Sequence, residues 1–357
     1  MHSAIKVLVV DDSALIRQML TRALSLDPSI EVVGIARDGV EAIQKTIELQ
    51  PDVVTLDVTM PELGGIEAIP FILKRSSARI VMLSSLDDPD MTYQALSAGA
   101  VDFIVKPREG VATSLTQLTN LLLKKIKTAN RIKPGEPQLS GDMPLVTEID
   151  TFGGATQKTS AERLSIVAIA ASTGGPPTLE RLFSRLDSSL PAAYVIVQHL
   201  PSGFGDSFAR RLSKASDIPV VQAAAGMFLE PGVAYLAPHG VHTQIEGHLR
   251  PRTSMADGPL LHGVRPSADP LFISLADSFA EQSIGIVLTG MGSDGAVGLL
   301  RMREAGSLTF AQDEASSVVF GMPHAAQVIG AAQRVLDPSH IAAELRVALG
   351  GGSHYER

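Results

Sequence analysis

Short apolar runs alternate with amphipathic stretches along most of this chain, and this alternation limits the possible fold more than any other feature. In residues 5–128 the apolar runs are Ile5–Val10, Glu31–Ala36, Val53–Leu56, Ile80–Leu83 and Phe103–Val105. Amphipathic stretches such as Ala14–Leu24 lie between them, and a second alternating region covers about 163–348. Strands separated by helices pair in parallel, with helices on both faces of the sheet. The sequence therefore predicts an α/β protein with two doubly wound parallel sheets.

A polar stretch separates the two alternating regions. It runs from about Ala129 to Glu162 and contains turn-forming segments such as Lys133-Pro-Gly-Glu-Pro137. This stretch has too little apolar periodicity to build a core, so it indicates a linker. We therefore predict a first domain over residues 4–127, a linker over 128–162 and a second domain over 163–348, which suits a chain of 357 residues.

The composition argues against several classes of site and partner. The chain contains no cysteine, which excludes disulfides, a thiol nucleophile and a zinc site with cysteine ligands. The net charge of -8 and the lack of a basic cluster argue against nucleic acid as a partner. No apolar run is long enough to cross a bilayer, and the N-terminus lacks the layout of a signal peptide. We therefore expect a cytoplasmic protein that does not insert into membranes.

Charged and hydroxyl side chains follow four of the five strands predicted in the first domain. Asp11 and Asp12 follow the first strand, Asp57 follows the third, Ser84 the fourth and Lys106 the fifth. The C-terminal ends of parallel strands meet at one edge of a sheet, so these side chains should lie together. Three carboxylates repel one another unless a hard divalent cation such as Mg2+ binds among them. With a hydroxyl and an ammonium to hold phosphate oxygens, the set predicts phosphoryl transfer onto Asp57.

A single one of these aspartates would more often be a turn residue or a helix N-cap. The complete set, however, resembles the response-regulator receiver family over about residues 4–127. The resemblance implies that a histidine kinase is the phosphodonor for Asp57 and that Asp11, Asp12 and Asp57 bind Mg2+. It also implies that Ser84 and Lys106 sense the phosphate.

Two local features extend this comparison with the receiver family. Lys106-Pro107 is similar to the cis peptide bond of that family, which is inexpensive only before proline. Leu63-Gly64-Gly65 departs from the family, which usually has an aspartate before the last glycine. This departure affects the loop after Asp57 and removes none of the phosphorylation residues.

Three potential catalytic residues follow strand-like runs of the second domain. Ser172, His199 and Asp294 come just after these runs, which are Ser165–Ala170, Tyr194–Gln198 and Ile284–Thr289. In an open parallel sheet such strand ends converge on one crevice. A serine hydroxyl becomes a useful nucleophile when a neighbouring base takes its proton and a third group orients that base. The three residues therefore predict a serine hydrolase.

Ser172 also has a simpler possible role. It lies between a strand and the amphipathic stretch Thr178–Leu186, where a serine is often a helix N-cap. The segment Ala170-Ala-Ser-Thr-Gly-Gly-Pro-Pro177 lacks the first glycine of a G-x-S-x-G elbow. The order serine, histidine, aspartate also differs from that of the α/β-hydrolases. A catalytic triad here would therefore be distinct from that of the α/β-hydrolases and built on a different scaffold.

The loop that carries Asp294 allows a competing interpretation, a dinucleotide site. Gly290, Gly292 and Gly295 form G-x-G-x-x-G between a strand and a helical stretch, and Asp313 follows the next strand. Against this interpretation, the motif comes late in its domain, whereas the fingerprint normally opens one. The Asp294 carboxylate would also repel a pyrophosphate, and Ser172 and His199 would be left unexplained.

Several motifs of the second domain together resemble the chemotaxis protein-glutamate methylesterase family. The resemblance covers about residues 163–347 and is carried by Ala171-Ser-Thr-Gly-Gly175, Gln198-His199, Leu288-Thr-Gly-Met-Gly-Ser-Asp-Gly295, Gln312-Asp-Glu-Ala-Ser316 and Phe320-Gly-Met-Pro323. It implies that Ser172 is the nucleophile, His199 the general base and Asp294 the orienting partner. It also implies an oxyanion site formed by the backbone amide of Met291 with Thr173 nearby. Ser293 departs from the asparagine often found before this aspartate.

The resemblance also implies a reaction and a form of control. The expected reaction is hydrolysis of glutamate γ-methyl esters on methylated chemoreceptors, with deamidation of selected glutamines, in chemotaxis adaptation. Phosphorylation of Asp57 would regulate access to Ser172, and the esterase chemistry itself would need no cofactor. One alternative remains open: the second domain could be a non-catalytic module that binds receptors, in which Ser172 caps a helix and His199 is structural.

Overall fold

Two parallel sheets form the framework of the structure, a computed structural model that describes residues 4–84, 89–106, 112–132, 164–247 and 249–350. Most of the predicted linker and the bond between Lys106 and Pro107 lie outside these residues. Both sheets have the α/β arrangement that the alternating pattern predicts.

The N-terminal sheet has five strands in the order β2-β1-β3-β4-β5, all parallel. The strands are β1 (Ile5–Val10), β2 (Ile30–Ala36), β3 (Val53–Asp57), β4 (Arg79–Ser84) and β5 (Asp102–Val105). The helices are α1 (Ala14–Leu24), α2 (Gly39–Leu49), α3 (Gly65–Arg75), α4 (Pro89–Ala98) and α5 (Ala112–Ala129). In β1, Leu8 and Val10 pack in one core and Val7 and Val9 in another, because a strand covered on both faces buries both sets of side chains.

The C-terminal sheet has seven parallel strands in the order β14-β13-β12-β6-β7-β9-β8. The strands of this half are β6 (Ser165–Ala171), β7 (Ala192–Gln198), β8 (Val220–Gln222), β9 (Ala234–Leu236), β10 (His242–Glu246), β11 (Arg252–Ala256), β12 (Ser283–Val287), β13 (Leu308–Gln312) and β14 (Arg334–Leu336). Its helices are α6 (Gly175–Phe183), α7 (Gly205–Ala215), α8 (Ala268–Ser278), α9 (Ala296–Glu304), α10 (Met322–Val328) and α11 (Pro338–Ala348). Strands β10 and β11 form a separate antiparallel hairpin.

Strand order determines where side chains can converge in each sheet. The chain passes from β6 to β7 on one side, and β12 later pairs with β6 on the other side. In the first sheet, β2 and β3 likewise lie on opposite sides of β1. A crevice forms outside the C-terminal ends of the strands at such a reversal. Each half therefore has one crevice, and the candidate residues follow the strands that border it.

Several element ends differ by one to three residues from the sequence-based prediction, and two of these differences have clear local causes. Helix α6 begins at Gly175 rather than Thr178, because Pro176 and Pro177 occupy the first turn, where a missing amide proton costs nothing. Strand β12 ends at Val287, before Thr289. The chain leaves the sheet there, since the Thr289 amide donates to the side chain of Gln312, at 2.8 Å, instead of to a neighbouring strand.

The two halves share an apolar contact, called here the aromatic seam: Tyr93 and Phe103 of the first half with Phe204 and Phe208 of the second. The rings of Phe103 and Phe204 stack at 5.1 Å between centroids, and those of Tyr93 and Phe208 lie 5.5 Å apart. The Tyr93 hydroxyl donates to the Phe204 carbonyl at 3.2 Å. The seam therefore fixes α4 and β5 against the C-terminal half. Nowhere in the part of the chain that the structure describes is a helix long and apolar enough to cross a membrane.

Candidate active site

Asp294 and His199 form a hydrogen-bonded pair at the crevice of the C-terminal sheet. Asp294 lies in the loop after β12 and is 1% exposed, and its Oδ2 lies 2.8 Å from His199 Nε2. The Ala268 amide donates to the same oxygen at 2.9 Å, and the Ser267 hydroxyl donates to Oδ1. Burial alone would raise the pKa of Asp294, but the hydrogen bonds from His199, Ser267 and Ala268 hold it below its ordinary value. Asp294 is therefore an ionised acceptor in a fixed orientation.

Ser172 lies directly after β6, and its backbone is tied to both neighbouring strand ends. Its amide donates to the Thr289 carbonyl at 3.0 Å, and its carbonyl accepts from the Gln198 side chain at 3.0 Å. The space beside it requires glycine at position 290, since a Cβ there would lie 2.8 Å from the Ser172 Cβ. The structure thus brings the strand ends that carry Ser172, His199 and Asp294 together, as the sequence predicts.

The bond to Asp294 uses one nitrogen of the His199 imidazole, and the other nitrogen is available to accept the Ser172 proton. Nε2 is engaged by Asp294, so Nδ1 is the nitrogen that can accept a proton. Among the described contacts, no hydrogen bond joins this ring to the Ser172 hydroxyl. Hydrogen bonds of this kind are often long without substrate and tighten when it binds.

The candidate oxyanion residues border the same crevice. Thr173 follows Ser172 and is buried, and its carbonyl accepts from the Thr289 hydroxyl at 3.0 Å. Met291 is half-buried in the loop before Asp294, and its sulfur contacts the hydroxyl of Thr128, the residue before the end of α5. Both residues therefore contact the N-terminal half, Met291 through Thr128 and Thr173 through Asp102.

The glycine-rich loop is already bonded within the protein. The Gly290 amide donates to the Val319 carbonyl at 3.0 Å, and the Gly290 carbonyl accepts from the Met322 amide at 2.8 Å. Asp313, which the dinucleotide interpretation would place at a ribose, instead accepts from the Ser316 amide at 2.9 Å. These bonds leave the Gly290 amide unavailable to a pyrophosphate and therefore disfavour a dinucleotide site.

Sequence reasoning missed the residues that hold this arrangement in place. Ser267 is the N-cap of α8 and reaches Asp294, and Gln198 donates to the carbonyls of both Ser172 and His199. Next to them, His262 Nε2 lies 2.7 Å from Asp269 Oδ2. The Ser-Ala-Asp pattern at 267–269 signals a helix start, but it says nothing about a contact with a residue 27 positions away.

The second candidate site lies at the crevice of the N-terminal sheet. Asp57 ends β3 and is 5% exposed, Asp11 is fully buried and Asp12 is exposed. One oxygen from each of these carboxylates lies within 4.8 Å of the others. Lys106 Nζ lies 2.7 Å from both Asp11 Oδ2 and Asp57 Oδ2. The Ser84 hydroxyl is buried at the end of β4, 2.5 Å from that of Thr92.

Negative charges outnumber positive ones at this site. Burial, together with the smaller effects of the Asp11 and Asp12 charges, raises the pKa of Asp57 to about 6 despite the opposing effect of Lys106. For Lys106, burial would lower the pKa, but its bonds to Asp11 and Asp57 raise it. One ammonium therefore does not offset three carboxylates. The donor set fits a hard divalent cation with oxygen ligands.

The N-terminal half also contacts the rim of the catalytic crevice. The Thr173 hydroxyl donates to Asp102 Oδ2 at 2.6 Å, and Lys125 Nζ lies 2.6 Å from Asp102 Oδ1. Farther from Ser172, Arg211 donates to the Ser97 hydroxyl at 2.5 Å, and the Ser207 hydroxyl donates to Asp90. The contact between the halves thus has one part at the crevice and another along α7.

Comparisons with known proteins identify the family that each half resembles. Residues 167–345 match the CheB methylesterase family model, and residues 7–115 match that of the response regulator receiver domain. A protein-glutamate methylesterase/protein-glutamine glutaminase of Pyrococcus horikoshii is 39% identical, covering 99% of this chain and 97% of its own. One from Xanthomonas campestris is 42% identical, with 97% of each chain covered. The crystal structure of the Thermotoga maritima CheB methylesterase catalytic domain is similar at 34% identity and a TM-score of 0.50, over 51% of this chain and 97% of that one.

Proposed function

Because the chain belongs to the CheB methylesterase family, with a response regulator receiver domain before its catalytic domain, we propose that it demethylates chemoreceptors in chemotaxis adaptation by a Ser-His-Asp mechanism. The substrates would be glutamate γ-methyl esters on methylated chemoreceptors. The observation that carries the proposed mechanism is the 2.8 Å bond between His199 Nε2 and Asp294 Oδ2 at a crevice that Ser172 also borders.

The first half of the reaction forms an acyl-enzyme on Ser172. The Ser172 Oγ attacks the ester carbonyl carbon while His199 Nδ1 takes its proton. Ionised Asp294 stabilises the imidazolium. The Met291 amide, with Thr173 nearby, stabilises the negative charge that develops on the carbonyl oxygen. The tetrahedral intermediate then collapses, the bond to the methoxy oxygen breaks, and His199 returns the proton so that methanol leaves.

The second half of the reaction releases the product. His199 takes a proton from water, the resulting hydroxide attacks the acyl carbon, and Ser172 leaves with that proton. The products are a glutamate side chain and free enzyme. The same steps deamidate a glutamine when ammonia replaces methanol as the leaving group. The names of the two relatives described above include this glutaminase activity, which supports it as a second reaction of this site.

The N-terminal half receives the signal in this proposal. A histidine kinase is the phosphodonor, and Asp57 accepts the phosphoryl group. Asp11, Asp12 and Asp57 would hold Mg2+, which spreads the negative charge of the transferred phosphoryl group when bound. Ser84 and Lys106 are positioned at neighbouring strand ends to hold phosphate oxygens. The raised pKa of Asp57, caused mainly by burial and to a smaller extent by the charges of Asp11 and Asp12, supports this assignment, because a bound cation would stabilise such a carboxylate.

The receiver restrains the esterase until it is phosphorylated. Its contacts reach both residues beside the nucleophile, through Asp102 to Thr173 and through Thr128 to Met291. A phosphate on Asp57 would draw Ser84 and Lys106 toward itself and bias the receiver to a second arrangement, in which the crevice is open. The domain limits consistent with this account are 4–127, 128–162 and 163–348.

The partners follow from the same chemistry. Chemoreceptors present their methylated helices in the cytoplasm, so the enzyme acts there without entering the membrane. The net charge of -8 argues against nucleic acid as a further partner.

Methanol release from methylated receptor membranes, with a phosphodonor present, tests the proposal. Ser172→Ala should lower the rate by on the order of 10^3-fold or more, because no other group can form the acyl-enzyme. The exposed Ser184→Ala, at the end of α6, is the matched control and should be as active as the unmodified chain. Turnover by Ser172→Ala at a near-normal rate would remove Ser172 from the role of nucleophile.

A further inference from the structure

The contact between Asp102 and Thr173 puts a carboxylate on the residue that follows the proposed nucleophile in the chain. The Thr173 hydroxyl donates to Asp102 Oδ2 at 2.6 Å, and Thr173 is the residue that directly follows Ser172. Asp102 is 7% exposed and Thr173 is 8% exposed, so the bond is shielded from water. A carboxylate is also the group that hydrolysis of a glutamate ester leaves behind. The receiver therefore inserts the chemical equivalent of the reaction product at the crevice.

The Asp102 carboxylate is held firmly enough to act as such a group. Its Oδ1 lies 2.6 Å from Lys125 Nζ and accepts the Phe103 amide at 2.8 Å. Lys125 also lies over the Phe103 ring, 5.8 Å from the centroid. The charge of the carboxylate is thus paired on its own domain, and Oδ2 remains for Thr173. This arrangement offsets the cost of burying a carboxylate at the domain contact.

We infer that Asp102 is a built-in product analogue: its carboxylate occupies the position near Thr173 that receives the glutamate γ-carboxylate when the ester is hydrolysed. The inference rests on the proposed function, and it names the group that occupies the crevice while the receiver restrains the esterase. Thr173 accordingly binds the substrate carboxyl group through its hydroxyl. In the unphosphorylated chain that hydroxyl is already taken, so an ester must displace Asp102 to bind.

Strand β5 connects this contact to the phosphorylation site. Asp102 begins β5, and Lys106, which binds Asp57 and Asp11, follows its end. Four strand residues span about 13 Å, so the two contacts lie on one short, stiff segment. Phe103 joins the same strand to the aromatic seam. A phosphate that shifts Lys106 would shift Asp102 with it, and a displacement of about 1 Å is enough to break a hydrogen bond of this length.

The remaining polar contacts along α7 provide a way to test this inference against a simpler alternative, in which the receiver only covers the crevice. Asp90, at the start of α4, accepts from Ser207, and Arg210 lies 4.0 Å from it. These groups lie on α4 and α7, and none of their described polar contacts involves Ser172 or Thr173. Weakening them loosens the domain contact but leaves the carboxylate at Thr173 in place. Asp90→Ala is therefore a matched control for substitutions at Asp102.

The experiment uses the full chain and methylated receptor membranes without a phosphodonor. Asp102→Asn keeps the size of the side chain and removes its charge, so methanol release should rise by about tenfold, in line with the loss of one charged hydrogen bond. Asp90→Ala should stay within about twofold of the unmodified chain. Glutarate, a free carboxylate with the length of a glutamate side chain, should inhibit Asp102→Asn at concentrations that leave the unmodified chain unaffected.

Two results would overturn the inference. One is an unchanged rate for Asp102→Asn, with melting curves that show an intact fold. The other is equal activation and equal glutarate inhibition of Asp102→Asn and Asp90→Ala, which would make the receiver a cover and nothing more. Failure of the proposed function has a different signature: the double variant Ser172→Ala, Asp102→Asn would still release methanol.

Discussion

For individual residues, the decisive feature is how tightly Asp294 is held. Its two oxygens accept from His199, Ser267 and the Ala268 amide, and it is almost fully buried. These donors keep its pKa low against the effect of burial, so the carboxylate stays ionised throughout the neutral range. A buried carboxylate with several donors cannot rotate away from the imidazole. Orientation of His199 therefore depends on Ser267 as well as on Asp294.

Ser267→Ala tests this dependence. Loss of the Ser267 hydroxyl leaves Asp294 Oδ1 without that donor, so kcat should fall by about tenfold with little change in KM, because the substrate does not touch Ser267. Ser274→Ala, on the same helix and bonded to Ile245 and Leu271, is the control and should keep the full kcat. A change confined to KM, or equal losses in the two variants, would contradict a positioning role.

The positions of the proposed reacting residues can be predicted from the sequence more readily than those of the residues that support them. Ser172, His199 and Asp294 follow apolar runs, and such strand ends can be located from local patterns alone. The contact from Ser267 to Asp294 and that from Asp102 to Thr173 depend on how distant segments pack, which no local pattern encodes. The same is true of Gln198, whose amide holds the carbonyls of Ser172 and His199.

Among the elements, the loop from β12 to α9 must meet the strictest steric requirements. It carries Met291 and Asp294 and is pinned through Gly290 to residues 319–322. Gly295 precedes α9 with a φ of +80°, a conformation that glycine adopts without strain. The G-x-G-x-x-G pattern therefore reflects a tight turn and close packing. An identical spacing of glycines arises in a dinucleotide fingerprint for partly the same steric reasons.

This loop should not bind nicotinamide dinucleotides. The Gly290 amide is already paired, and the Asp294 charge would oppose a pyrophosphate. Calorimetric titration of the full chain with oxidised and reduced nicotinamide dinucleotide should give no saturable heat at micromolar concentrations. Saturable binding that no ester substrate displaces would revive the dinucleotide interpretation.

Element boundaries could be predicted where local signals are strong. Strand β1 and helix α1 begin and end at the residues that the sequence predicts. Ser13 caps the start of the helix, and apolar residues fill the strand. The amphipathic pattern predicts the start of α6 three residues late, because Pro176 and Pro177 fit its first turn without being part of that pattern. Helix α5 extends to Ala129, two residues beyond the predicted end of the first domain.

In the whole molecule, one short strand connects the proposed site of phosphorylation with the proposed site of ester hydrolysis. Lys106 at one end of β5 binds Asp57, and Asp102 at the other end binds Thr173. The aromatic seam ties the middle of that strand to the catalytic half. In the proposed control the two sites are thermodynamically linked through β5: whatever stabilises one arrangement of this strand favours the corresponding state of the crevice.

Deletion and phosphorylation should therefore have the same effect on the esterase. A fragment starting near Leu164 should release methanol faster than the unphosphorylated full chain, because no receiver contacts its crevice. A phosphodonor with Mg2+ should raise the rate of the full chain, and Asp57→Asn should abolish that response. The exposed Glu48→Gln, on α2, should preserve it. Equal rates for fragment and full chain, with an intact response in Asp57→Asn, would rule out this control.

The most direct test of the central claim is to identify the serine that the crevice activates. A fluorophosphonate reacts only with activated hydroxyls, so the full chain, treated with it in the presence of a phosphodonor, should carry the label on the peptide that contains Ser172. Labelling should slow by about 10^2-fold or more in His199→Gln and in Asp294→Asn, since both substitutions impair proton removal from Ser172. A label on another serine, or labelling of Ser172 at an undiminished rate in both variants, would contradict the proposed triad.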